Sequence, residues 1–248
     1  MASKPPQTER AATQSVKAIM GIRELVFSGE VMPGERLSEI TVSERLGLSR
    51  TPVRAALARL EQEGILEAIP SGGYAVRIFT AADIVDAIEL RGVLEGTAAR
   101  LAAERGVAPA RLATLHTLMD ELDEIVGVPA EDLNFPAYIA RNQEFHETLK
   151  GLAGSEMVRR ELERVTSLPF SGPSAFLEVQ AEIPQFRASL VIGQAQHRAI
   201  LNAIEMREGG RAEALAREHA RLARQNLDHV IENRKLMTKV PGLSLVKG

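Results

Sequence analysis

The chain contains 248 residues, of which 45% are hydrophobic and 25% charged, and its formal net charge is −3. The absence of Cys excludes disulfides and thiolate chemistry, and no apolar run approaches the roughly 20 residues of a membrane span. Residues 1–10 are polar and do not resemble a signal peptide. We therefore expect a cytoplasmic protein of one or two domains with no membrane association.

Three helices are predicted at the start of the chain. Apolar residues recur at helical spacing in residues 11–28. Ser38 is placed to cap a short second helix that ends at Gly47. Ser49 is placed to cap a third helix that ends near Gly64.

A β-hairpin is predicted after the third helix. Two β-prone runs in residues 65–79 flank a Pro-Ser-Gly-Gly turn. Three helices followed by a hairpin form a winged helix-turn-helix. We assign it to residues 11–79 and expect residues 1–10 to be a disordered tail.

From residue 80 the composition shifts to Ala- and Leu-rich helical stretches that Gly and Pro residues separate. They predict a bundle of about six helices over residues 80–236, with a tail at 237–248, so the fold class is mainly α. Residues 169–184 are compatible with a loop or a short helix. The six predicted helices cover residues 81–105, 109–127, 131–152, 155–168, 186–208 and 211–236.

The third helix carries a basic face. Arg50 and Arg54 are four residues apart and project side by side, with Thr51 beside them. The free N–H groups of the first turn favour a phosphate, and Arg is the side chain that reads guanine with two hydrogen bonds. A solvated face of an ordinary helical hairpin is the alternative, but the preceding short helix and the following hairpin favour DNA binding. The predicted apolar face consists of Val53, Ala56, Leu57 and Leu60.

The segment SERLGLSRTPVRAALARLEQEGIL, followed by GGYAV, resembles the DNA-binding domain of the GntR superfamily of regulators. The resemblance implies that Arg50 and Arg54 contact bases or phosphates in the major groove. It also implies that the hydroxyls of Ser49 and Thr51 bind phosphates and that Gly72 or Gly73, at the tip of the wing, approaches the minor groove. Ile40 stands where regulators of the fatty-acid group carry an additional Arg, so control by fatty acyl-CoA is not implied. The residues expected to contact DNA are Ser49, Arg50, Thr51, Arg54, Gly72 and Gly73.

Three His residues are spaced so that they can meet in the helical bundle. Asn142 and His146 are four residues apart and share a helix face. His197 precedes the Gly209-Gly210 break by about 12 residues and His219 follows it by about 9. In an antiparallel hairpin these positions lie roughly 19 and 14 Å from the turn. Three imidazoles and an amide oxygen would suit zinc or nickel, although such spacing is also compatible with structural His residues.

The segments NQEFHETL, QAQHRAIL and AREHARL resemble the metal-binding segments of the FCD-type sensor domain found in GntR regulators. The usual ligands there are one Asp and three His. The resemblance implies one divalent metal ion, zinc or alternatively nickel, bound by His146, His197 and His219, with Asn142 in place of the Asp. The resemblance implies the FadR subfamily, and six sensor helices rather than seven would place the chain nearer the vanillate-regulator group than the fatty-acid group.

Arg91 lies within the apolar stripe of the first sensor helix, where a charge is costly unless it is paired. An ion pair with Glu95 in the same helix is one explanation. The resemblance favours another, in which Arg91 faces a pocket and binds the carboxylate of a small effector beside the metal. Tyr138, one turn before Asn142, is expected to line the same cavity.

The expected function is that of a homodimeric transcription regulator, acting as a repressor, that binds palindromic double-stranded DNA and responds to a small carboxylate of a catabolic pathway. The alternative is a metal-dependent enzyme with Glu144 or Glu147 as the base. Neither lies one turn from His146, and an enzyme would leave the basic helix without a role. A helical interaction module that binds neither DNA nor metal is a third hypothesis.

Overall fold

The computed structural model of the chain describes residues 7–168, 170–175, 186–232, 240 and 243–246. These residues form two compact units. The first extends to Ala81 and includes residues 243–246, and the second is formed by Ala82–Val240. None of the described helices is long and apolar enough to cross a membrane.

The first unit is a helical domain with a small sheet, as expected for a winged helix-turn-helix. The three strands are antiparallel and their order is β1-β3-β2. Strand β1, only two residues long, was not predicted, and it pairs Arg36 with Ala75 of β3. The elements are α1 (Gln7–Phe27), β1 (Arg36–Leu37), α2 (Glu39–Leu46), α3 (Arg50–Gln62), β2 (Leu66–Ala68) and β3 (Tyr74–Val76).

Capping residues define the two helices of the helix-turn-helix. The Ser38 side chain accepts a hydrogen bond from the Thr41 backbone N–H at the start of α2, and Gly47 ends the helix in the left-handed conformation at φ 63°. Ser49 occupies the N-cap of α3 but its side chain makes no capping hydrogen bond. The predicted apolar face of α3 is fully buried at Val53, Ala56, Leu57 and Leu60.

Parts of both predicted tails belong to regular structure. Helix α1 begins at Gln7, within the residues 1–10 that were expected to be disordered. At the other end, Leu243–Leu245 form a 3-10 helix that packs against α1, although residues 237–248 were predicted as a tail. Leu245 is 0% exposed, and its carbonyl accepts a 3.0 Å hydrogen bond from the Phe79 N–H. Burial of its apolar side chains holds this segment in place, but a run so short has no detectable periodicity in the sequence.

The second unit contains six α-helices in its described part, which confirms a mainly helical fold. Helix α6 starts four residues later than predicted, because the Asn134 side chain caps it and Ala130–Asp132 form a 3-10 turn. Residues 170–175 are turns, and the rest of the uncertain 169–184 segment lies outside the described residues. The helices are α4 (Ala81–Arg105), α5 (Pro109–Gly127), α6 (Phe135–Leu152), α7 (Glu156–Thr166), α8 (Phe186–Glu205) and α9 (Gly209–Glu232).

Two glycines allow α4 to approach α9 closely. A Cβ atom added at Gly92 would lie 2.9 Å from the Ala220 Cβ, and one added at Gly96 would lie 2.9 Å from the Arg217 Cγ. Both distances are shorter than side-chain packing permits. This close approach brings Arg91 and Glu95 of α4 beside the helix that carries His219.

Leu245→Ala should destabilise the first unit. Removal of a fully buried Leu side chain costs roughly 2–5 kcal/mol in a packed core, so we expect a lower free energy of unfolding and faster hydrogen exchange at the Phe79 amide. Met20→Ala is the control, because Met20 is 67% exposed on α1. Equal exchange at Phe79 in the two variants would contradict the observed packing of residues 243–246.

Candidate metal centre and DNA-contacting surface

Arg50 and Arg54 are exposed on α3 and share a carboxylate of α2. The Arg54 Nε and Nη2 atoms donate to Glu39 Oε1 and Oε2 at 2.7 and 3.0 Å. Arg50 Nη2 donates to Glu39 Oε2 at 3.3 Å. The hydrogen bond from Arg54 holds the pKa of Glu39 below its usual value. Sequence reasoning missed Glu39 because it lies 11 and 15 residues before its two partners.

Glu39 occupies only one edge of the Arg54 guanidinium. The Nε–Nη2 edge faces the carboxylate, which leaves the Nη1–Nη2 edge with two N–H groups for another acceptor. That pair of donors has the geometry that reads guanine O6 and N7. Glu39 therefore holds the Arg54 side chain and leaves the Nη1–Nη2 edge available to another acceptor.

The remaining predicted DNA contacts also lie at the surface. Ser49 and Thr51 are exposed at the N-terminus of α3. Gly72 and Gly73, at φ +87° and +88°, form the turn of the wing, and a side chain at Gly72 would meet open space. Arg36 of β1, which sequence reasoning missed, donates from Nη2 to the Gly72 carbonyl at 2.6 Å. The contacts of these residues with DNA stay a prediction.

The three His residues meet in the second unit as their spacing predicted. His146 of α6, His197 of α8 and His219 of α9 direct their Nε2 atoms towards one another. The Nε2 atom of His219 lies 3.0 Å from that of His197 and 3.3 Å from that of His146. The ligand atoms of all three residues lie within 4.8 Å of one another.

Each imidazole has an oxygen behind its other nitrogen. The three Nδ1 atoms lie 3.0–3.2 Å from an oxygen of a carboxylate or an amide. An oxygen of this kind accepts a hydrogen bond, so each Nδ1 carries a hydrogen, and the Nε2 of a neutral ring then carries a lone pair. The oxygens belong to Glu95 (behind His146), Gln194 (behind His197) and Gln196 (behind His219).

The orientation of the Gln194 amide supports this assignment. Its Nε2 donates to Asp123 Oδ1 at 2.7 Å and to the Met119 carbonyl at 3.1 Å. The amide oxygen must then be the atom that faces His197 Nδ1. Asp123 and Met119 thus orient the Gln194 amide, and the amide oxygen in turn selects the Nδ1–H tautomer of His197.

Three converging lone pairs fit a cation. They repel one another in the absence of one, and a divalent metal needs neutral imidazole nitrogens whose opposite N–H groups are hydrogen bonded. Burial, followed by the neighbouring His219 and His146, lowers the pKa of His197 well below its usual value. Burial, followed by His146, lowers the pKa of His219 to about 3. Both rings are therefore neutral at neutral pH.

A pocket opens beside His219. Four predicted site residues, Arg91, Tyr138, Asn142 and His219, lie in its wall. Asn142 is buried and its Nδ2 donates to Ser174 Oγ at 3.1 Å. Burial raises the pKa of Tyr138, which keeps its hydroxyl protonated. The other lining residues are Pro173, Ser189, Leu190, Gly193, Leu222, Ala223 and Asn226.

Arg91 fits both explanations given for it from the sequence. It is 2% exposed, and its Nε lies 3.8 Å from Glu95 Oε2, an ion pair too long for a hydrogen bond. Its Nη1 donates to the Ser171 carbonyl at 2.9 Å. Among the described residues Nε has no hydrogen-bond partner. A buried guanidinium with an unsatisfied N–H in a pocket wall is suited to bind an anion.

Two family models match the chain on either side of residue 80. The model of the bacterial regulatory proteins of the gntR family matches residues 14–76, and the model of the FCD domain matches residues 86–222. The chain belongs to the gntR family and carries an FCD domain. Members of this family are transcription regulators, so the chain is a regulator rather than an enzyme.

Known relatives cover much of this GntR regulator. The uncharacterized HTH-type transcriptional regulator YdhC of Bacillus subtilis is 26% identical over 214 residues, 86% of this chain and 91% of that protein. The Nta operon transcriptional regulator of Aminobacter aminovorans is 34% identical over 142 residues, 57% of this chain and 65% of that protein. The structure of Escherichia coli McbR/YncC has a TM-score of 0.60 at 21% identity and covers 89% of this chain and 98% of its own, which supports the fold alone.

The metal-free FCD domain should lose stability in acid. The folded state keeps the pKa of His219 near 3, whereas an unfolded imidazole titrates near about 6.5. As the pH falls from the upper towards the lower value, the unfolded state binds protons that the folded state refuses, and the free energy of unfolding decreases. Urea unfolding of chelator-treated protein at pH 7 and pH 5 measures the change. The decrease should be smaller in His219→Gln, and an equal decrease in this variant would contradict the assignment.

Proposed function

We propose that this GntR regulator binds a small carboxylate and a divalent metal ion in its FCD domain and thereby changes its affinity for operator DNA. The observation that carries the proposal is the convergence of three imidazole lone pairs beside a pocket whose wall contains Arg91. The metal is zinc, with nickel as the alternative, and its ligands are His146, His197 and His219 with the Asn142 oxygen as a weaker fourth.

The charge of the site supports an anionic effector. Imidazole and amide ligands are neutral, so they leave the charge of the cation uncompensated. When bound, a divalent cation supplies a positive centre to which a carboxylate oxygen can coordinate. Arg91, whose Nε has no hydrogen-bond partner among the described residues, supplies the second positive group in the pocket wall. A small carboxylate from a catabolic pathway satisfies both.

A homodimer on a palindromic site supports sequence-specific binding. One recognition helix contacts too few base pairs for useful specificity, and a two-fold partner doubles the number. We also propose that the regulator represses its target genes and belongs to the vanillate-regulator group. The DNA-bound species should therefore contain two chains in light scattering.

Arg50→Ala and Arg54→Ala should each weaken specific DNA binding by roughly 5- to 100-fold, because each loses hydrogen bonds to a base or a phosphate. The probe is duplex DNA that the protein itself selects from a random pool, assayed by gel shift. Arg221→Ala is the matched control, since it removes the same charge from an exposed position of the FCD domain. Unchanged affinity in both α3 variants would place the DNA-contacting surface elsewhere.

One zinc ion should bind per chain. His197→Ala should abolish binding because it removes one of three converging ligands, and Asn142→Asp should raise the affinity because it adds a negative charge to the coordinating atoms. Competition with a chromophoric chelator gives the affinity, and elemental analysis gives the stoichiometry. His229→Ala, a change on α9 outside the cluster, is the control. Wild-type affinity in His197→Ala would contradict the metal centre.

The effector is sought in a thermal-shift screen of small carboxylates on the zinc-loaded protein. A hit that shifts the melting temperature should also change the gel shift of the selected DNA. Its effect should be smaller in Arg91→Lys, because Lys keeps the charge but loses the planar set of donors. A hit that stabilises this variant as strongly as the wild type would contradict the role of Arg91.

A further inference from the structure

Glu95 is a buried carboxylate whose two oxygens face different partners. Glu95 is 1% exposed. Oε1 lies 3.0 Å from His146 Nδ1, and Oε2 lies 3.8 Å from Arg91 Nε. Both partners present N–H groups to the carboxylate and Arg91 is positively charged, so they favour its ionised form. A buried charge destabilises the folded protein unless it is paired and hydrogen bonded.

The three oxygens behind the His cluster are not equivalent. Two of them belong to Gln194 and Gln196, which are neutral amides on the same helix α8. The third belongs to Glu95, which reaches His146 from α4, a separate helix 51 residues earlier. A carboxylate that accepts from a ligating His fixes the tautomer of the ring and raises its basicity. His146 is therefore the imidazole with the strongest electron donation in the cluster.

We infer that Glu95 is a positioning residue of the metal centre, which holds His146 as the Nδ1–H tautomer and supplies the negative charge that the coordinating residues lack. The inference rests on the proposed function. The residue expected as the fourth ligand, Asn142, is neutral, so the nearest charge compensation comes from behind His146. Glu95 delivers it through one hydrogen bond without entering the ligand set.

The tautomer can be measured without metal and without mutation. Imidazole nitrogen NMR shifts of chelator-treated wild-type protein distinguish Nδ1–H from Nε2–H rings. We expect His146 to be in the Nδ1–H form. A population in the Nε2–H form would overturn the inference, because the ring would then donate towards the cluster instead of towards Glu95.

Glu95→Gln separates charge from hydrogen bonding. The amide oxygen can still accept from His146 Nδ1, as the Gln194 oxygen does for His197, but the negative charge is lost. Zinc affinity, measured by chelator competition on the full-length protein, should fall about 10- to 100-fold. Glu89→Gln is the matched control, because Glu89 is an exposed carboxylate on the same helix, and its zinc affinity should equal that of the wild type.

The outcomes separate this inference from the proposed function. Zinc affinity in Glu95→Gln equal to that in Glu89→Gln would overturn the role of Glu95 and leave the metal centre intact. Failure of the wild-type protein to bind zinc would overturn the metal centre itself. If Glu95→Gln does not fold, as judged by circular dichroism, the wild-type tautomer decides the question alone.

Discussion

The FCD domain is organised around the hydrogen bonds that fix three imidazole rings from behind. Each Nδ1 faces an oxygen, so the three Nε2 atoms, which are acceptors in neutral rings, are directed to one region between α6, α8 and α9. This arrangement is unfavourable by itself, because neutral acceptors repel and a buried acceptor without a donor is costly. The packing of four helices, including the close approach of α4 to α9, maintains this arrangement of the three rings. A bound cation would relieve the repulsion between their Nε2 atoms.

Helix α4 links the two functions along the chain. It begins at Ala81, two residues after Phe79 of the first unit, and carries both Arg91 and Glu95. One residue lies in the pocket wall and the other contacts a His of the cluster. In the proposed function, an anion at Arg91 would therefore contact the helix that follows the first unit directly in the sequence.

The sequence predicted the elements well and the contacts between them poorly. Helical periodicity and Gly or Pro breaks located the helices, and distances along a helical hairpin brought His197 and His219 to one height. The pairing of Glu39 with two Arg residues joins positions on different helices, and no period connects them. Glu95 was identified only as a neighbour of Arg91, since its contact with His146 spans 51 residues. Strand β1 has two residues and the segment Leu243–Leu245 has three, and runs of this length are too short to show a periodic pattern.

Charge balance gives a reason for an anionic effector that does not depend on family likeness. In the proposed site a divalent cation and Arg91 would bring three positive charges, and Glu95 would bring one negative charge. The described residues that line the pocket include no carboxylate. Uncompensated charge in a buried site is destabilising, because a medium of low dielectric constant solvates an unpaired charge poorly. A carboxylate with one oxygen near the cation and the other near Arg91 removes that excess, whereas a neutral ligand of the same shape would leave it in place.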